Sequence, residues 1–227
     1  VFVTDTPRTL VFDLDGTLIN SAPDLTAALN KVLTEAAREP VTLHQVTQMI
    51  GDGVAKLVER GFAATGGAPG DPGHQLDRFH HHYNNATADL TELYPGVLET
   101  LHTLADAGHR MALCTNKPAE PTAAVLDAFG LANFFEAVAG GDTFPVRKPS
   151  PGHLLGLLQQ MDADAEHAVM IGDSPNDVQV ALNAAVPVIA VSYGYRRVPA
   201  EEMGADILID HFQQVPKAVR QLGSAPA

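Results

Sequence analysis

The 227-residue sequence predicts an α/β fold, a doubly wound and mostly parallel sheet with a block of helices inserted after its first strand. Three observations carry that expectation. A short apolar run, Thr9 to Phe12, breaks into a turn at Asp13-Leu14-Asp15-Gly16. Residues 20–90 then show helical periodicity and no convincing strand. From Tyr94-Pro95-Gly96 onward, short apolar strands alternate with helices. The implied division places residues 1–19 and 91–227 in one unit and residues 20–90 in a second, all-helical one.

The elements follow in order. Leu25, Ala28, Leu29, Val32 and Leu33 recur at three- and four-residue intervals, with Pro23 near the start of that helix and Pro40 beyond its end. A second helix follows Gly53, with Val54, Leu57 and Val58 on one face. Thr65 to Gly73 is dense in Gly and Pro and reads as a loop, and the next helix carries Leu76, Phe79 and Tyr83. Val97 to Ala107 is helical, Arg110 to Cys114 a strand, Ala119 to Phe129 helical, and Phe135 to Ala139 a strand. His153 to Met161 is helical, Ala168 to Ile171 a strand, and Pro175 to Ala185 helical. Val188 to Val191 and Ile207 to Ile209 supply the last strands, and Phe212 to Leu222 a final helix.

Composition narrows the function classes. Hydrophobic residues make up 45% of the chain, an ordinary share for a globular protein. No apolar run approaches the roughly 18 residues needed to span a bilayer, and the N-terminus lacks a basic segment followed by a hydrophobic stretch, so the expected setting is cytoplasmic. A net charge of −13 without a basic stripe argues against nucleic acid and anionic membrane surfaces as partners. An anionic substrate must then be held by local positive groups and a metal, against the overall field. The sole cysteine, Cys114, lies in an apolar run and reads as a buried small hydrophobe rather than a nucleophile. His80-His81-His82 has no partner ligands at metal spacing and reads as an exposed helix face. Nothing in the sequence fixes an oligomeric state.

The chemical residues gather at strand ends, where open α/β sheets place their ligands. In an extended chain residues i and i+2 point the same way, so Asp13 and Asp15 share a side while Leu14 turns inward. Two acids this close stay ionised together near neutral pH only beside a cation, and hard oxygen ligands favour Mg²⁺. An Asx-rich turn would produce the same local sequence. Thr115-Asn116-Lys117 follows the strand ending at Cys114 and offers a hydroxyl, an amide and backbone N–H groups to phosphoryl oxygens, although Thr-Asn is also ordinary turn chemistry. Lys148 lies in Arg147-Lys148-Pro149-Ser150-Pro151, where two prolines stiffen the backbone around it, either as an exposed loop cation or as the counter-charge to clustered carboxylates. In Gly172-Asp173-Ser174-Pro175-Asn176-Asp177, Asp173 can reach a cation held by Asp13, while Asp177 can cap the helix, orient Lys148 or act through waters.

These four elements, in this order on this architecture, resemble the haloacid dehalogenase superfamily of aspartate-nucleophile phosphohydrolases. The resemblance covers essentially the whole chain and identifies the helical insertion with that superfamily's α-helical cap. Within it the chain is most similar to the phosphoglycolate phosphatase family, through Asn20 to Leu25, Ile50-Gly51-Asp52-Gly53, Leu57 to Arg60, Leu93 to Val97 and Tyr193-Gly194-Tyr195. Asn20 and Asp52 depart from the usual pattern, in which an Asp and a neutral residue stand there.

The resemblance implies that Asp13 attacks phosphorus and becomes an aspartyl-phosphate, and that Asp15 protonates the leaving alkoxide and then activates water. It implies Mg²⁺ held by the side chains of Asp13 and Asp173 and the backbone carbonyl of Asp15. Thr115, Asn116 and Lys148 would bind the phosphoryl oxygens, with Asp177 acting behind them. The implied substrate is a small phosphorylated metabolite, 2-phosphoglycolate first. Lys56 and Arg60, four apart on one helix, share a face that could meet its carboxylate, or could simply be solvated beside Glu59. Tyr193 to Arg197 is expected to shape the entrance. The alternatives are a phosphatase for pyrophosphate or another small ester, a β-phosphoglucomutase-like phosphomutase, and a phosphate-dependent receiver module. A receiver is shorter and lacks the inserted helices. A true dehalogenase has no use for the proton that Asp15 would supply.

Overall fold

The computed structural model describes residues 7–195 and 197–223. Its centre is a six-stranded, all-parallel sheet in the order β5-β4-β1-β6-β7-β8, formed by β1 (Thr9–Phe12), β4 (Arg110–Cys114), β5 (Ala137–Ala139), β6 (Ala168–Gly172), β7 (Val188–Val191) and β8 (Ile207–Ile209). The predicted α/β class is therefore observed. β1 lies between β4 and β6, with Phe12 in register with Leu113 on one side and Ile171 on the other. That pairing brings the residues after all three strands to one edge.

Period-two alternation sends Leu10 and Phe12 to one face of the sheet and Val11 to the other. The first face is covered by α5 (Val97–Asp106), α6 (Ala119–Ala128) and α9 (Val215–Gly223) through Val97, Leu101, Val125 and Val219. The second is covered by α7 (Pro151–Gln160) and α8 (Pro175–Asn183) through Leu154, Leu157, Val178 and Ala181. With both faces buried, the strands are apolar throughout, as parallel strands require. Phe12 packs between the Phe135 and Phe212 rings at 6.2 and 5.9 Å, and truncating it to Ala would cost about 3–5 kcal/mol. Cys114 is fully buried, and burial pushes its thiol up to about 12, in keeping with a packing role.

The inserted segment comprises α1 (Ala22–Glu35), α2 (Leu43–Thr47), α3 (Val54–Ala64) and α4 (Pro72–Asn84). These helices pack on one another around Leu29, Val32, Leu57, Phe62, Phe79 and Tyr83. A Cβ on Gly61 would lie 2.8 Å from a Leu29 methyl, so glycine lets α3 approach α1. The two chain crossings run side by side: β2 (Ile19–Asn20) pairs antiparallel with β3 (Glu92–Leu93). Nearby, buried Asp24 accepts from Leu90 N at 3.0 Å and Thr91 Oγ1 at 2.6 Å. No helix among the described residues is long and apolar enough to cross a membrane.

Some elements differ from expectation for local reasons. α2 escaped the periodicity because it is only five residues long; Thr42 and Gln45 define it instead by a reciprocal capping box. β2 and β3 are two residues each, too short to show a period. The strand expected from Phe135 begins at Ala137, because a 3₁₀ turn at Ala132–Phe134 turns Phe135 into the core. Phe212 likewise opens a 3₁₀ turn rather than α9 itself. His81 is exposed, while His80 and His82 are half-buried and His82 pairs with Glu35 at 2.8 Å.

Candidate active site

The ladder runs one residue past β1, since Asp13 N donates to Ile171 O at 2.9 Å. The chain then turns tightly, with Leu18 N donating to Leu14 O at 2.9 Å and Gly16 at φ +91°. A Cβ at Gly16 would fall 2.2 Å from Asp173 Oδ2, so only glycine lets the ends of β1 and β6 close on each other. Gly194 does the same from the loop after β7, where a Cβ would lie 2.3 Å from Asp173 Cβ.

Lys148 is the centre of charge. Its Nζ lies 2.8 Å from Asp13 Oδ1, donates to Asp177 Oδ1 at 2.6 Å and to Cys114 O at 2.7 Å, and is buried with both acids. Its backbone is held as well, because Lys148 N donates to His153 Nδ1 at 3.2 Å while His153 Nε2 faces Gly140 O at 3.1 Å. The acceptor role at Nδ1 puts the ring proton on Nε2. Burial and the Lys148 charge drop this imidazole to about 4, keeping it neutral.

Asp177 performs two of the tasks expected of it. Its Oδ2 accepts from Asp173 N, Ser174 N and Ser174 Oγ at 3.2, 3.0 and 2.7 Å, capping α8, while its Oδ1 orients Lys148. Asp13, Asp173 and Asp177 bring carboxylate oxygens within 4.8 Å of one another and form a cluster that could hold a metal ion. Both Asp177 oxygens are occupied. Asp13 Oδ1 is buried and receives no hydrogen bond, its contact with Lys148 being one of charge alone. Burial and Asp177 push the Asp13 carboxyl up to about 7 despite Lys148. Burial, Asp177 and Asp13 likewise hold Asp173 well above its ordinary value. One lysine does not balance three buried acids, and a hard dication between Asp13 and Asp173 fits this donor set.

Asp15 faces the same cavity as Asp13, as the i, i+2 spacing predicts. It accepts from Ser21 Oγ at 2.5 Å and lies 3.3 Å from Lys117 Nζ. The cavity, of about 40 Å³, is lined by Asp13, Asp15, Thr115, Asn116 and Lys117 from the strand ends. Leu25, Ile50, Gly51, Gly53, Val54 and Leu57 line it from the inserted helices. Asn116 Nδ2 donates to Lys148 O and, across the cavity, to Gly51 O at 3.0 Å.

Lys56 and Arg60 are not brought to this cavity. Lys56 pairs with Glu59 at 2.7 Å in solvent, while Arg60 donates to Met49 O and pairs with Asp52. Asp52 also accepts from Arg197 and Asn176, each at 2.6 Å, so it ties the α2–α3 loop to α8 and to the loop after β7. Burial disfavours its charge, but the Asn176, Arg60 and Arg197 donors hold it down at about 2. Tyr193 and Tyr195 buttress the site from behind: Tyr193 Oη donates to Thr17 O, Tyr195 N to Asp173 Oδ2 and Tyr195 Oη to Asn20 Oδ1. Arg196, within the stretch expected at the entrance, lies outside the described residues.

Sequence reasoning gave no role of their own to Lys117 and His153, and it expected Tyr195 at the entrance rather than behind Asp173. Lys117 carried a usable signal, since it stands two residues from Thr115 at a strand end. Burial disfavours its ammonium, yet Asp15 and Tyr83 raise it above its ordinary value and keep it charged.

Comparison with known proteins points to one family. Residues 10–191 match the family model described as haloacid dehalogenase-like hydrolase. The chain is 44% identical over 223 residues to a phosphoglycolate phosphatase of Caulobacter vibrioides, covering 96% of this chain and 94% of that one. It is 43% identical over 212 residues to one from Rhodospirillum rubrum, covering 91% and 88%. Among solved structures, a predicted phosphoglycolate phosphatase from Haemophilus somnus superposes with a TM-score of 0.89 at 30% identity, covering 93% of this chain and 97% of that one.

Proposed function

The chain belongs to the haloacid dehalogenase-like hydrolase family, and from that premise we propose that it cleaves 2-phosphoglycolate to glycolate and phosphate through a phosphorylated Asp13. It is a phosphoric monoester hydrolase. The observation that carries the finer reading is the convergence of Asp13, Asp15, Thr115, Lys148 and Asp173 at the ends of three adjacent parallel strands, beneath a small cavity. The relatives named above support the substrate. The reading divides the chain into a catalytic core, residues 1–19 and 91–227, and a cap, residues 20–90. It carries a cytoplasmic setting, and the relatives support a small phosphorylated metabolite as substrate.

Asp13 attacks phosphorus in line with the departing oxygen, so an Asp13 O–P bond forms as the ester O–P bond breaks. Asp15 gives its proton to the leaving alkoxide. It then takes one from the water that attacks phosphorus, which breaks the Asp13 O–P bond and frees phosphate. Lys148, the Thr115 hydroxyl and nearby N–H groups, Asn116 included, bind the phosphoryl oxygens and meet charge as it develops. Mg²⁺, held by the Asp13 and Asp173 side chains and the Asp15 carbonyl, would keep Asp13 ionised and draw phosphoryl charge as a Lewis acid. Asp177 keeps Lys148 in place. Leu25, Ile50, Val54 and Leu57 exclude water from the leaving-group side.

The test is phosphate release from 2-phosphoglycolate, pyrophosphate and glucose 1-phosphate, with and without Mg²⁺, for the unmodified protein and Asp13→Asn. Mg²⁺-dependent preference for 2-phosphoglycolate, reduced at least ~1,000-fold in the variant, is expected. Faster turnover of another ester overturns the substrate, and full activity in Asp13→Asn overturns the nucleophile.

A further inference from the structure

Among the residues lining the cavity, Lys117 is the one cation. We propose that Lys117 is the specificity-determining residue for the leaving group, reading a carboxylate on the organic half of the substrate; this rests on the phosphatase reading above.

The argument starts from donors. A lysine ammonium has three N–H groups. One direction is used by Asp15, loosely, at 3.3 and 3.5 Å to its two oxygens, and one by the Tyr83 hydroxyl. Because the two Asp15 contacts are long and fall on one carboxylate, a single N–H can serve both, which leaves the third direction for a ligand. The side chain is held rather than free to seek solvent: it is 4% exposed and lies over the Tyr83 ring at 4.6 Å.

The surroundings then decide what such a cation selects. Leu25, Ile50, Val54 and Leu57 form the apolar wall of the cavity, so a group entering it loses water. A methylene does so at no cost. A carboxylate does so only beside a cation, and the two basic residues expected for that task are engaged elsewhere, Arg60 with Asp52 and Lys56 with Glu59. Arg147 brings its guanidinium within 3.1 Å of where a Gly53 Cβ would stand, but its side chain is exposed and screened.

Tyr83 comes from α4 and Lys117 from the end of β4, so the selective geometry exists only with cap and core together.

The experiment compares kcat/KM for 2-phosphoglycolate with that for 2-hydroxyethyl phosphate, which keeps the phosphate and replaces the carboxylate by a neutral hydroxymethyl group. Disturbance of Asp15 affects both esters and cancels in the ratio. In Lys117→Met the ratio is expected to fall at least ~10-fold, as for loss of a charge-assisted hydrogen bond; in Arg147→Gln it is expected to stay unchanged. A ratio unaffected by Lys117→Met, or one that collapses in Arg147→Gln instead, overturns the proposal. Should Lys117→Met fail to fold by circular dichroism, Tyr83→Phe carries the test: a ratio lowered about threefold supports the assignment and an unchanged one overturns it. An unmodified protein that turns over neither ester would instead overturn the phosphatase reading itself.

Discussion

The strand-end cluster and the loop that covers it both rely on ion pairs, but they use charge in opposite ways. At the strand ends Lys148, Asp13, Asp173 and Asp177 are buried, and the acids crowd one another. In the loop between α2 and α3, Asp52 meets Arg60 and Arg197 with side chains about a quarter to a third exposed. A buried pair cannot exchange its partner for water, so each charge fixes the position of the next. A half-solvated pair can, so the loop is held firmly enough to define the cavity and weakly enough to release it. Rigid charge suits the groups that must meet phosphorus. Exchangeable charge suits a wall that must let substrate in.

Removing Asp177 should break this contrast most severely. Asp177→Ala leaves Lys148 with one carboxylate fewer and three donors at the α8 N-terminus without their acceptor. Relief of repulsion on Asp13 and Asp173 offsets only part of that. A loss of about 3 kcal/mol in urea unfolding is expected, together with a fall in kcat. Stability equal to that of the unmodified protein would show that the buried network does not position Lys148.

An intermediate effect is expected from pH. His153 is fully buried and held neutral down to about 4, whereas the free imidazole protonates near 6.5. Between these values the unfolded chain binds the proton more readily, so stability falls as pH drops through that window, by of order 1 kcal/mol per unit. His153→Gln keeps an acceptor and a donor but does not titrate. Its urea midpoint should therefore decline less steeply than that of the unmodified protein from pH 6.5 to 4. Parallel declines would mean that other groups set the acid limb.

The smallest effect on stability should come from the loop. Asp52→Asn keeps the acceptor for Asn176 and weakens the ties to Arg60 and Arg197, so less than about 1 kcal/mol of stability should be lost. KM for the phosphoester should rise several-fold at low salt, and the difference from the unmodified protein should shrink as ionic strength increases. A kcat defect with unchanged KM would place Asp52 in the chemistry rather than in the wall.

Much of the core was legible because its signals are local. Apolar runs of four or five residues ending in Asp, Thr or Gly-Asp mark strands that stop at a ligand edge, and Asp13, Asp15, Thr115 and Asp173 all stand there. Lys148 was legible only as a lysine in a proline-stiffened loop. Its three partners come from the ends of β1 and β4 and from α8, and no spacing announces that meeting. Helix periodicity marked Lys56 and Arg60 as sharing a face. It could not show that Asp52, in the preceding loop, and Glu59, on the same helix, would claim them.

By itself the sequence determined the α/β class, the order of the six central strands and of the longer helices, and the identity of the groups at the strand ends, because side-chain period and turn chemistry act over a few residues. The tertiary structure alone decided which charges share a partner. It set Lys117 between Asp15 and Tyr83, residues 102 and 34 positions away in the chain, and Asp52 between a helix of the insertion and the loop after β7. Such pairings depend on distances through space and on how much water remains between the groups, and both exist only once the sheet, its flanking helices and the inserted segment have packed.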